Sequence, residues 1–304
     1  MTTKTNIAGM QRFCIVAFLL LTAGFFAACN KIDGPYVIKS ENTDTVACPA
    51  PQFPEVTNHV KRVLLEDYTG HTCVNCPRAA VIAHDLKEDY GDQLVVMAVH
   101  AGGFAKAFTA GDFTYDFQTT AGTAWDTEFG ISAVGNPNGM INRRKINNTF
   151  VISPSAWSGA VAEMVAETPM LDIQVINEYA PGDDKLCTHV QTQFLQTIDK
   201  NLKLIVALTE DSIVAPQKNN DPTVGVTPEI INYVHMHVLR GTITSTWGSS
   251  VAKAGISNPP SVIKSYRYQL TDNIVPKNCR VIAFVYDADT YEVLQAAESA
   301  ITGK

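Results

Sequence analysis

Apolar residues change their spacing along the chain, and the changes mark out its parts. Residues 61–68 (KRVLLEDY) and 93–100 (QLVVMAVH) are short continuous apolar runs, the pattern of buried parallel strands. Between them Ala79, Ile82, Ala83 and Leu86 recur at helical spacing, so residues 74–90 are predicted as a helix closed by Gly91-Asp92. A Gly- and aromatic-rich insertion follows over 101–130, with short helices expected around Asp112 and Trp125. Residues 138–144 read as an antiparallel strand after Pro137. Ser153-Pro154 supplies an N-cap and a proline at the first position of a helix that stops before Pro169. This order predicts a compact α/β domain over 59–169.

After Pro169 the helical spacing disappears. Strands are predicted at 171–179, 186–197, 202–208, 233–239, 262–270, 279–286 and 292–300. Long strands without intervening helices predict an all-β, sandwich-like domain over 170–304. The Asn- and Pro-rich stretch 211–228 reads as a long loop inside it.

The first 28 residues have a different character. Lys4 and Arg12 precede an apolar run from Phe13 to Phe26, shorter than the ~20 residues a spanning helix needs. Small residues lead into a cysteine in Phe26-Ala27-Ala28-Cys29, which resembles the lipobox of bacterial lipoproteins, with Phe26 in place of the usual leucine. Residues 1–28 are therefore expected to be a cleaved signal peptide and Cys29 the lipidated residue, attaching the chain to a membrane. Residues 29–58, polar and rich in proline, are expected to be an extended tether. Acidic residues number 30 against 23 basic, and cleavage before Cys29 removes two basic residues and no acidic one. With no basic stripe, nucleic-acid binding is excluded as a function class.

Export also frames the cysteines. Cys14 leaves with the signal peptide and Cys29 takes the lipid, so five of the seven remain in a compartment where disulfides persist. Cys187 and Cys279 each open a strand candidate and are expected to pair as a structural disulfide pinning the β-domain. Cys48 has no evident partner.

Cys73 and Cys76 form a C-x-x-C, which by itself fits zinc ligation, a structural bridge or redox catalysis. Here the first cysteine follows a buried strand by the short turn 69–72 and sits where a helix begins. Amide N–H groups and the helix dipole favour a thiolate there, the species that attacks a disulfide. Cys76, almost one turn later, is placed to attack the resulting mixed disulfide.

VLLEDYTGHTCVNCP resembles the strand–motif–helix opening of the thioredoxin superfamily, and GISAVGNPNGMINRR resembles its cis-proline loop. The resemblance implies an α/β thioredoxin-like domain followed by the all-β domain. It also implies roles for Cys73 as nucleophile, Cys76 as resolving thiol, Pro137 as the cis-proline facing the dithiol and Asp67 as a buried proton carrier. Glu66 is the alternative to Asp67, because strand alternation is expected to bury only one of the two. Thr72 and Val74-Asn75 depart from the superfamily's usual residues, leaving the direction of electron flow open.

The whole arrangement is similar to the outer-membrane-protein-28-related lipoprotein family of Bacteroidetes, which implies an outer-membrane location. Three function classes follow. One is thiol–disulfide exchange on envelope proteins; another is a non-catalytic binding or adhesion lipoprotein with a structural Cys73–Cys76 bond. A copper or zinc carrier using Cys73, Cys76 and His100, with His71 nearby, is the third. No cofactor is expected, and no metal site is assigned. His235-Met236-His237 is expected to place two imidazoles on one strand face, and Asp44-Thr45-Val46 and Asp211-Ser212-Ile213 resemble a short O-glycosylation motif.

Overall fold

The computed structural model describes residues 48–257 and 260–301. The signal segment, Cys29, the tether as far as residue 47 and Asp44-Thr45-Val46 lie outside them. β1 (Val63–Thr69) and β2 (Leu94–His100) pair in parallel from Val63↔Leu94 to Thr69↔His100, and every residue of both is buried. Continuous apolar runs with no polar face produce this, because a central strand meets packing on both sides. α1 (Cys76–Tyr90) joins them, with Pro77 in its first turn. Its Ala79, Ala83 and Leu86 form the stripe that packs on the sheet. β3 (Asn138–Ile141) runs antiparallel on the other side of β1.

Three further α-helices follow among the described residues of this half of the chain. α2 (Thr120–Phe129) begins at Thr119, whose hydroxyl accepts the Gly122 N–H at 3.0 Å, and α3 (Ile131–Val134) follows it. α4 (Pro154–Val165) opens on proline, as Ser153-Pro154 predicts, and lies beside α1 over the same sheet face.

The second half contributes β4 (Leu171–Ala180), β5 (Lys185–Phe194), β6 (Leu202–Glu210), β7 (Ile213–Lys218), β8 (Glu229–His235), β9 (Val238–Thr242), β10 (Ser249–Ala252), β11 (Ser261–Gln269), β12 (Cys279–Asp287) and β13 (Val293–Ala300). They do not build a separate sandwich. β9 bridges β2 to β6, giving one eight-stranded sheet in the order β13-β12-β6-β9-β2-β1-β3, with β10 also on β6. The sheet thus runs across the boundary expected at residue 169.

The two faces of this sheet explain why. Val63 and Leu65 of β1 share a face with Leu204 and Val206 of β6. That face is covered by α1 and α4 over one half and by the small sheet β11-β5-β4 over the other. The opposite face, carrying Leu64, Met97, Ile205 and Phe284, packs on Trp125 and Phe129 of α2. β6 and β12 are each buried at all but one position because they, like β1 and β2, are covered twice.

Two expectations need correction. Cys187 does not pair with Cys279: it lies on β5 of the small sheet and is bonded to Cys48, whereas Cys279 is a buried free thiol on β12 of the large sheet. Cys48 belongs to the nominal tether, so that tether is tied down from residue 48 onward. The stretch 211–228 is not all loop: β7 forms within it and pairs with β8, from Ile213↔His235 to Lys218↔Glu229. Pro216 masks the strand, and the register shifts between Ala215 and Gln217, where a proline is tolerated.

Candidate functional site

The end of β1 leads into a turn held from two sides. The Thr72 N–H and hydroxyl both donate to the Phe104 carbonyl, at 3.1 and 2.9 Å, and the Cys73 N–H donates to the Gly70 carbonyl at 3.0 Å. Gly70 is required by close approach, since a Cβ there would lie 2.4 Å from the Phe104 carbonyl carbon. Cys73 and Cys76 are joined by a disulfide at the start of α1.

Each sequence-expected neighbour can now be placed. The Asn136–Pro137 peptide is cis, and the Tyr68↔Asn138 register sets Pro137 level with Thr69, beside the strand end from which the dithiol turn departs. Asp67 lies on the α1 face of β1 and lines a cavity together with Cys76. Burial alone raises its carboxyl pKa to about 7. Glu66 is not an alternative to it. Both carboxylates are buried on opposite faces, and Glu66 is held by Arg143 at 2.7 and 2.8 Å. The expectation that only one is buried fails because β1 has no solvent face.

His100 closes β2 directly across from Thr69. It stacks on Phe117 at 4.4 Å between centroids and stands 5.5 Å from His235. Burial and the neighbouring imidazoles hold its pKa well below the usual range, and burial lowers His71 and, to about 4, His235. All three rings are therefore neutral at physiological pH. Among the described residues no group of three His, Cys, Asp or Glu side chains is placed to hold a metal. His235 and His237 do not share a strand face, because β8 ends at His235 and His237 turns to φ +55°.

The part that sequence reasoning missed is the β7–β8 hairpin, which covers the dithiol. The Lys218 N–H donates to the His71 carbonyl at 2.8 Å and the Asn220 N–H to the Val74 carbonyl at 3.1 Å. Buried Gln217 donates its amide to the carbonyls of Gly70 and Cys73, at 3.3 and 2.9 Å. Arg78 of α1 pairs with Asp221 at 2.9 Å. Cys73 and Cys76 are each only 2% exposed as a result. No local signal marks Gln217; the Gly70 and Cys73 carbonyls it reaches lie more than 140 residues away.

The family model for the outer membrane protein Omp28 matches residues 123–304, more than half of the chain. The chain belongs to the Omp28 family. As a member of it, the chain is a protein of the outer membrane. Among the described residues no helix is long and apolar enough to cross a membrane. Of solved structures, HBP35 of Porphyromonas gingivalis is 18% identical with a TM-score of 0.60, covering 80% of this chain and 76% of that one. Protein AGR_C_4864 from Agrobacterium tumefaciens is 12% identical with a TM-score of 0.50, covering 82% and 98%. A domain of the outer membrane lipoprotein Omp28 from Porphyromonas gingivalis is 21% identical over 45% of this chain and 91% of that domain, with a TM-score of 0.29. No curated protein matches the chain. At these identities HBP35 and AGR_C_4864 share the fold and nothing more specific.

Proposed function

We propose that this Omp28-family member is an envelope lipoprotein, cut before Cys29 and lipidated there, whose residues 59–169 form a thioredoxin-like module for thiol–disulfide exchange on envelope proteins. The observation that carries the reading is the Cys73–Cys76 pair at the start of α1, with cis Pro137 at the same sheet end and buried Asp67 behind it. In the reduced protein the Cys73 thiolate attacks a substrate disulfide, forming a mixed disulfide and releasing one substrate thiolate. Asp67 takes the proton of Cys76, whose sulfur then displaces the second substrate thiolate and leaves Cys73–Cys76 oxidised. The β7–β8 hairpin must yield for a protein disulfide to reach Cys73.

That cover favours a second reading, in which the bond is permanent and the module is a binding scaffold. The two differ in one experiment. Under exchange, the protein speeds insulin reduction by dithiothreitol, and Cys73→Ser returns the rate to the uncatalysed one. A bond with a potential below about −300 mV and no turnover would instead establish the scaffold.

Asp67 supplies a separate check. Its folded pKa of about 7 lies above the unfolded value near 4, so between those pH values the folded state keeps a proton that the unfolded chain has released. Stability is therefore greatest below about pH 4 on this account and falls as pH rises toward 7. Asp67→Asn is expected to flatten that slope and to raise stability at pH 8 by roughly 2–3 kcal/mol in urea unfolding. Parallel curves for the two proteins would show Asp67 to be an ordinary carboxylate.

A further inference from the structure

Between α1, the ends of β1 and β2, and the β7–β8 hairpin lies a cavity of about 280 Å³. Its walls are mostly apolar, built by Pro77 and Ala80 of α1 and Val96 and Ala98 of β2. Val81, Val234 and Met236 also line it, and all three are exposed, so its mouth is apolar too. The volume is at the small end for ligand sites, and the mix of apolar walls with a few convergent polar groups is typical of them.

The base of the cavity is what calls for an occupant. Asp67, His100 and His235 line it, each no more than 4% exposed. Asp67 Oδ1, both ring nitrogens of His100 and Nε2 of His235 have no hydrogen-bond partner among the described residues. Each such atom costs about 1–3 kcal/mol when buried unpaired, so the three side chains at this space carry unmet hydrogen-bonding capacity. No Lys, Arg or Glu lines the cavity. Burial also disfavours a charge on His100 and His235, so the base of the cavity offers an anion no cation.

We infer that this cavity binds a small uncharged molecule with an apolar body and one hydroxyl or amide group that both donates and accepts a hydrogen bond. A neutral imidazole offers one donor and one acceptor, and a protonated carboxyl adds a donor, so a single amphoteric group satisfies several of the unpaired atoms at once. Phe117, stacked on His100 and 4.5 Å from His235, holds both rings in place for it. The inference does not rest on exchange at the dithiol, since occupancy is read without thiol chemistry and either can fail alone.

The test is titration of the purified protein with phenol, toluene and benzoate, followed by amide chemical shifts of Ala98 and Tyr233. Phenol is expected to bind saturably and at least about tenfold more tightly than the other two, because a site with buried polar groups rejects an analogue that lacks the partner. Ala80→Phe, or Val81→Phe where the first does not fold, is expected to abolish binding while leaving the melting temperature near that of the parent. His100→Phe is expected to bring phenol and toluene to similar affinity. Equal binding of toluene and phenol in the parent, tighter binding of benzoate, or saturable binding of none of the three would overturn the proposal.

Discussion

Replacing Arg143 with methionine is expected to destabilise the protein by about 3–5 kcal/mol, read from urea unfolding at pH 7. Arg143 and Glu66 are wholly buried and meet through two parallel hydrogen bonds of 2.7 and 2.8 Å. The guanidinium carbon also stands 4.8 Å from the Trp125 ring centroid and about as close to Phe129 and Phe284. Desolvated cation–π contacts of that kind add to the pair. Methionine keeps the bulk but leaves the Glu66 carboxylate without a cation inside the sheet, which is where most of the cost lies. The double variant Glu66→Leu/Arg143→Met removes both charges and is expected to recover much of the loss. Equal destabilisation in the single and double variants would mean that the aromatic contacts, not the ion pair, carry the energy.

The same pair shows what the sequence could and could not reveal. Continuous apolar runs at 61–68 and 93–100 announced central strands, and the helix between them was legible from Ala79, Ala83 and Leu86. The cis peptide before Pro137 was legible through the resemblance of its loop. That Glu66 would be buried was not, because burial on the second face of β1 comes from α2 and β12, elements remote in sequence. That the sheet continues past residue 169 was hidden for a related reason. Alternation of strands signals β structure, but nothing local says which sheet a strand joins, and the large sheet passes from β2 to β9 through one registered pair, Ala98 with Val238. The hairpin over the dithiol was hidden by Pro216 and by a run of Asn and Pro that reads as loop. Its strand rests on Gln217 reaching back to Gly70 and Cys73, a contact that only the folded chain defines.

Removing the Cys48–Cys187 bond is expected to have the other large effect, a loss of about 4 kcal/mol in Cys48→Ser measured by unfolding. The two cysteines are 139 residues apart, so the cross-link closes a long loop and removes much freedom from the unfolded chain. It also anchors the segment before β1 onto β5, where Arg62 pairs with Asp172 of β4 at 3.0 Å and the Gln295 side chain of β13 donates to the Val60 carbonyl at 2.9 Å. Cys187→Ser should match Cys48→Ser, because each breaks the same bond and leaves one thiol behind. Cys279→Ala should cost far less than either. Cys279 is buried without a disulfide, and burial lifts its thiol pKa to about 12, so it stays protonated and unreactive in the folded state. Alkylation of the unreduced, denatured protein should accordingly label Cys279 alone among the five cysteines from Cys48 onward. Labelling of Cys48 in place of Cys279, or a Cys279→Ala variant as unstable as Cys187→Ser, would return the pairing to Cys187 with Cys279.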